Sequence, residues 1–223
     1  MAEPPQARAT GSASSLNPAA GHHVVTADPR ELAAVERAGE RSWAAWSYYA
    51  RRYGDRGRQF TRSDSAWVAT LPGSPPSVVQ RQVRWLGSVL AARGMPRLLL
   101  EEHLRLLHDE LVRAVPERAA EYGTLLEAAN VLGDERRARM PDGVLEALER
   151  RFQELLEPPL EDDLRAGALL AAAVADERAG MPEAVTSLLD WLRDPARFSD
   201  AWLAAVDQTL RLARDGMSTP DNA

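Results

Sequence analysis

Leu100, Leu104, Leu107, Leu111 and Val115 recur at steps of four, three, four and four, which aligns them as one apolar seam along a helix. Val79, Val83, Leu86 and Leu90 repeat the pattern ahead of them, and Leu145, Leu148, Phe152 and Leu155, then Trp202, Val206 and Leu210, repeat it behind. No stretch alternates apolar and polar residues convincingly enough to read as a strand. The pattern predicts an all-α protein, a multi-helix bundle of about eight or nine helices.

Punctuation residues set the expected boundaries. Asp28, Pro29 and Glu31 supply an N-cap, a first-turn proline and a first-turn acid, so ordered structure is expected to start there. That first helix is expected to run to about Tyr53 with Leu32, Val35, Trp43, Trp46, Ala50 and Tyr53 on one stripe, and Gly54 and Gly57 are expected to stop it. Residues 56–62 then read as a loop, and Ser63 or Asp64 caps a short helix that bears Trp67, Val68 and Leu71. Pro72–Pro76 breaks the chain, Gly94 caps the next helix and Pro96 opens another. Further helices are expected from Pro116 to Arg139, from Pro141 to Pro158, from Leu160 to Ala179, from Pro182 to Leu192 and from Ser199 to Asp215. Gly180-Met181-Pro182 repeats Gly94-Met95-Pro96, as a duplicated helical hairpin would.

Few large apolar side chains occur before Asp28, so residues 1–28 read as a flexible tail. The remainder divides into an N-terminal bundle over 29–139, a C-terminal helical part over 140–216 and a short tail over 217–223.

Composition narrows the function classes. All 27 basic residues are arginine, with no lysine or isoleucine, a bias that GC-rich codon usage explains. Cysteine is absent, which removes disulfides, thiolate nucleophiles and cysteine-ligated metals. The net charge of -6 disfavours nucleic acid as a partner. The alanine-rich run from Ala166 to Ala175 falls short of the roughly 20 residues that a membrane span requires, and no secretory signal precedes the first helix. A cytoplasmic protein with no membrane association is expected.

Catalytic motifs are missing: no nucleophile elbow, no phosphate-cradling glycine loop and no Glu-x-x-His pair of the di-iron kind occurs. His22 and His23 fall in the tail, and His103 and His108 lie five positions apart, about 140° around a helix, where two ligands to one metal would sit three or four apart. A metal or tetrapyrrole held through His103 or His108 is the alternative reading, with no cofactor and no metal expected under the first.

One stretch stands apart. From Tyr48 to Trp67 five arginines accompany five aromatic residues, and between 51 and 62 those arginines face a single acid, Asp55. Arg51, Arg52, Arg56, Arg58, Phe60, Arg62, Asp64 and Trp67 form a candidate corner for docking an anion or a protein partner, since arginine pairs with carboxylates and stacks on rings. The competing reading is structural, with Asp55 and Asp64 helping the arginines clamp a loop to the aromatic helix.

Trp85–Pro96 resembles the part of sensor-type globins that carries the haem-ligating histidine. Gly87, Gly94 and Pro96 fit the outline, and Leu90 stands where the histidine would. The resemblance implies a non-haem globin-like domain of bacterial stress-signalling proteins in the N-terminal part. The functional expectation is a non-enzymatic helical sensor or adaptor module acting on an unidentified protein partner, with self-association through its leucine and tryptophan faces left open.

Overall fold

The structure, a computed structural model, describes residues 9–156 and 164–215. Among them nine α-helices and two three-residue strands form an all-α bundle: α1 Pro29–Ala45, α2 Ser47–Val68, α3 Pro76–Ala91, α4 Arg97–Ala114, α5 Ala119–Arg137, α6 Asp142–Glu154, α7 Ala166–Arg178, α8 Glu183–Leu192 and α9 Asp200–Asp215, preceded by β1 Thr10–Ser12 and β2 Val24–Thr26. No helix among the described residues is long and apolar enough to cross a membrane. The chain divides into two compact units, residues 1–83 with 102–129 and residues 84–101 with 130–223. The boundary expected at 139 is therefore replaced by an interleaved one, because α3, α4 and α5 each give residues to both units.

In the first unit, residues 9–28 are built structure where the composition suggested a tail. β1 and β2 pair antiparallel, Thr10 opposite Thr26. Ala13, Asn17, Val25 and Thr26 are buried, and Asn17 Nδ2 donates to Ser63 Oγ on α2 at 3.5 Å. Small side chains and backbone pairing hold this segment, so a count of large apolar residues misses it. The cap at Asp28 is as expected: its Oδ1 accepts the backbone N–H of Arg30 at 2.8 Å.

α1 ends earlier than the stripe predicts. Trp46 turns the chain into an extended conformation, and α2 begins at Ser47. Gly54 bends α2 at φ 52° and ψ -152°, a backbone state that only glycine adopts readily, and the helix then resumes. Residues 56–62 are thus helical and not the expected loop. Gly57, read from the sequence as a second stop, lies inside the helix.

The second unit is built around α7. Every residue from Ala166 to Asp176 is buried, the signature of a helix that is apolar on all sides. A Cβ on Gly167 would lie 2.6 Å from the backbone of Leu148 and Glu149, so α6 and α7 pass backbone to backbone. Glu149 Oε2 also accepts the N–H of Ala168 at 2.8 Å, satisfying a donor at the open start of α7. Trp202 on α9 closes the core, edge-on to Phe152 at 4.8 Å and stacked on Phe198 at 4.6 Å.

The two Gly-Met-Pro turns have one geometry. Gly94 and Gly180 take φ 80° and 93°; Met95 N donates to Leu90 O at 3.0 Å and Met181 N to Asp176 O at 3.1 Å. Each helix end is closed by the same glycine-capped, six-to-one bonded turn.

Candidate functional site

The break at Trp46 and the bend at Gly54 fold an aromatic cluster onto the α1–α2 junction. Trp43 stacks on Tyr49 at 5.6 Å with 16° between planes, and Tyr48 meets Tyr53 edge-on at 5.9 Å. Trp43 Nε1 donates to Thr61 Oγ1 at 3.2 Å, and Trp46 Nε1 donates to Glu102 Oε2 at 2.6 Å. Burial pushes the Tyr48 and Tyr49 phenols well above their usual range, so both stay neutral.

Arginines coat this cluster. The Arg58 guanidinium lies 4.3 Å over the Trp43 ring, and that of Arg56 lies 5.8 Å over Phe60. Arg52 Nη1 donates to Tyr48 Oη at 2.6 Å while its guanidinium covers Tyr53 at 5.3 Å. Arg62 pairs with Glu36 of α1. Arg51 is exposed, Asp64 and Trp67 are half-buried, and the Trp67 ring meets the His23 ring edge-on at 6.4 Å. Aromatic rings lie beneath Arg56 and Arg58 and Glu36 pairs with Arg62, whereas Asp55 forms no ion pair among the described residues. Arg56 and Arg58 likewise have no carboxylate partner among the described residues, and both are exposed.

His103 lies in the interior of the first unit. Its Nδ1 is 2.7 Å from Ser42 Oγ and its Nε2 is 2.7 Å from Ser65 Oγ. Burial lowers its pKa to about 4, so the ring is neutral, one nitrogen donating and the other accepting. Both ring nitrogens are engaged, the N–H and the lone pair alike, which leaves neither free for a metal or a tetrapyrrole. His108 is half-buried and bonded to Asp109 Oδ1 at 3.0 Å. No three His, Cys, Asp or Glu side chains converge as a metal site among the described residues.

Sequence reasoning missed the buried carboxylates. Glu110 is 2% exposed and receives Arg37 Nε at 2.8 Å, Arg41 Nη1 at 2.9 Å and Arg113 Nη1 at 2.6 Å. Burial opposes its ionisation, yet the bonds from Arg37, Arg113 and Arg41 overcome that and hold the carboxyl at about 2. Glu31 receives Arg118 Nη1 at 2.7 Å, Tyr122 Oη at 2.6 Å and the Thr26 hydroxyl. The only local hints were the four-residue step from Arg37 to Arg41 and the three-residue step from Glu110 to Arg113.

The residues of the globin-like outline have structural roles in the second unit. Gly87 is buried beneath Arg97, whose Cδ would lie 3.1 Å from a Cβ placed there; Leu90 is half-buried, and Gly94 caps α3. No family model, no curated protein and no solved structure matches the chain.

Proposed function

We propose that this protein is a non-enzymatic helical sensor or adaptor module, working in the cytoplasm through protein–protein contacts, and that the bend of α2 is its docking surface. One observation carries the reading. Arg58 lies over Trp43, which stacks on Tyr49, and Arg56 lies over Phe60, with no carboxylate partner for either among the described residues. A guanidinium ordered by a ring keeps its N–H edge free, so a partner's carboxylate meets a fork whose entropy is already spent. Arginine and tryptophan are also the residues on which protein interfaces concentrate their binding energy. The likeness of Trp85–Pro96 to sensor globins that lack the haem ligand supports the same class of role.

The test is capture of a partner from the source lysate by the wild-type protein and by the double variant Arg56→Ala, Arg58→Ala. The reading requires a captured protein that the variant loses while its circular dichroism and melting stay within experimental spread of wild type. Equal capture by both proteins would overturn it, and so would unfolding of the double variant, which would make the arginines a clamp.

A further inference from the structure

Four carboxylates are buried among the described residues: Glu31, Glu101, Glu110 and Asp176. Three of them lie in ion-pair clusters where acids equal or outnumber arginines. Arg118 is shared by Glu31 and Glu121. Arg136 and Arg137 serve Glu101, Asp142 and Asp134. Arg97 and Arg84 serve Asp176 and Glu135.

Glu110 reverses the ratio, with three arginines on one acid. Neutralising one buried carboxylate needs one guanidinium, and gathering two more of like charge around it is unfavourable unless something else compensates. Neighbouring acids offset the cluster only in part: Asp109 bonds to His108 while its charge also acts on Arg113, and Glu40 makes no ion pair among the described residues.

Geometry says where the surplus charge points. Glu110 is closed off, but the side chains of Arg37, Arg41 and Arg113 are 45%, 46% and 64% exposed. Each spends a single N–H on Glu110, through Nε of Arg37 and Nη1 of Arg41 and Arg113. The other N–H groups of these three forks have no partner among the described residues and open to solvent. Arg37 and Arg41 stand one turn apart on α1, and Arg113 faces them from α4.

We infer that Arg37, Arg41 and Arg113, ordered by Glu110, form a phosphoryl-binding site on the first unit, separate from the Arg56 and Arg58 surface. The chemistry selects that class. A net positive cluster matches an anion, and three forks around one centre match a group with three terminal oxygens, where a carboxylate supplies two. Glu110 acts as the positioning residue, since it fixes the three heads before the ligand arrives.

The experiment is an NMR titration of the arginine Nε–Hε resonances of the full chain with inorganic phosphate, with sodium chloride and sodium acetate at matched ionic strength. The site requires saturable shifts of Arg37 and Arg113 with phosphate near neutral pH, absent with chloride and acetate. Arg113→Gln leaves Arg37 and Arg41 on Glu110, so it keeps the fold, and it should weaken phosphate about tenfold, whereas Arg81→Gln should change nothing. Responses to chloride equal to those with phosphate would overturn the inference without reference to any variant, and so would wild-type affinity in Arg113→Gln. A phosphoserine peptide and its serine counterpart identify the source of the group. A phosphopeptide that binds more tightly than inorganic phosphate assigns it to a modified protein, and equal affinity assigns it to free phosphate or a small phosphate ester; both results support the site.

Discussion

Asp176 grips the start of α4 twice: its Oδ2 accepts the backbone N–H of Arg97 and its Oδ1 accepts the Nε of the same residue, each at 2.8 Å. Asp176 precedes Gly180 by four residues, as Leu90 precedes Gly94, so one turn geometry carries a half-buried leucine in one place and a buried acid in the other. Arg97 runs on across Gly87 to Glu135 at 2.9 Å. The second unit is thereby tied together by a side chain that is 7% exposed.

Removing one half of a buried pair strands the other, which typically costs about 3–5 kcal/mol. Asp176→Ala should therefore lose roughly that much stability by urea denaturation, with the slope of the unfolding curve unchanged. A loss below about 1 kcal/mol would show that the pair carries no such weight.

The seams that predicted about eight or nine helices rest on short-range spacing, which is why they were legible. Leu104, Leu107 and Leu111 are fully buried as the pattern required. What escaped was non-local. Nothing in the neighbourhood of His103 announces that Ser42 and Ser65 will close on its two nitrogens, and Glu110 gives no local sign of Arg37 and Arg41, which lie 73 and 69 residues away. Two glycines close together read as a stop, yet Gly54 only bends the helix and Gly57 is needed for packing. The arginine and aromatic stretch was legible as a charge contrast, but that Arg62 is spent on Glu36 while Arg56 and Arg58 lie on rings required coordinates.

His103 predicts the shape of the acid limb. Its folded pKa, about 4, lies below its ordinary value of 6.5, so the unfolded chain binds the proton first. The stability that this neutral histidine confers is complete above pH 6.5 and is lost as pH falls towards 4, a total of about 3 kcal/mol. Denaturant midpoints measured from pH 7 to 4 should fall in the wild type, and the decline should be shallower in His103→Gln. Parallel curves would mean that the ring is solvated.

Glu110 acts lower on the same limb. A carboxyl held at about 2 against an ordinary 4.5 contributes stability that is present above pH 4.5 and is lost as pH falls to 2. Glu110→Gln should flatten the stability curve between those values and leave the segment above pH 5 parallel to wild type. A separate decline that persists in the variant between pH 4.5 and 2 would place the titrating group elsewhere.

Gly57 lets the two halves of the aromatic cluster meet. A Cβ there would stand 2.5 Å from Tyr53 Cβ on the same helix and 3.3 Å from the Trp43 ring of α1, so Gly57→Ala must displace Tyr53 and crowd Trp43. Overpacking of this kind costs about 1–3 kcal/mol. Gly54→Ala acts by another route: a Cβ at Gly54 meets nothing within 4 Å, and the cost arises from holding alanine at φ 52°. Tryptophan fluorescence separates the two, with Gly57→Ala shifting the Trp43 emission and Gly54→Ala lowering the melting temperature with the emission unmoved. If both variants leave emission and melting as in wild type, the bend does not set the cluster.

Arg58 decides between docking and clamping without any partner. A guanidinium 4.3 Å over an indole at an exposed position contributes about 0.5–1 kcal/mol. Arg58→Gln should therefore cost no more than that, and it should shift Trp43 emission to the red as water reaches the ring. A docking arginine satisfies both conditions, because the fold does not depend on its charge. If Arg58→Gln costs several times as much, the arginine is a fastening of the α1–α2 junction, and the surface on which the proposed function rests keeps only Arg56 of its two arginines unpaired among the described residues.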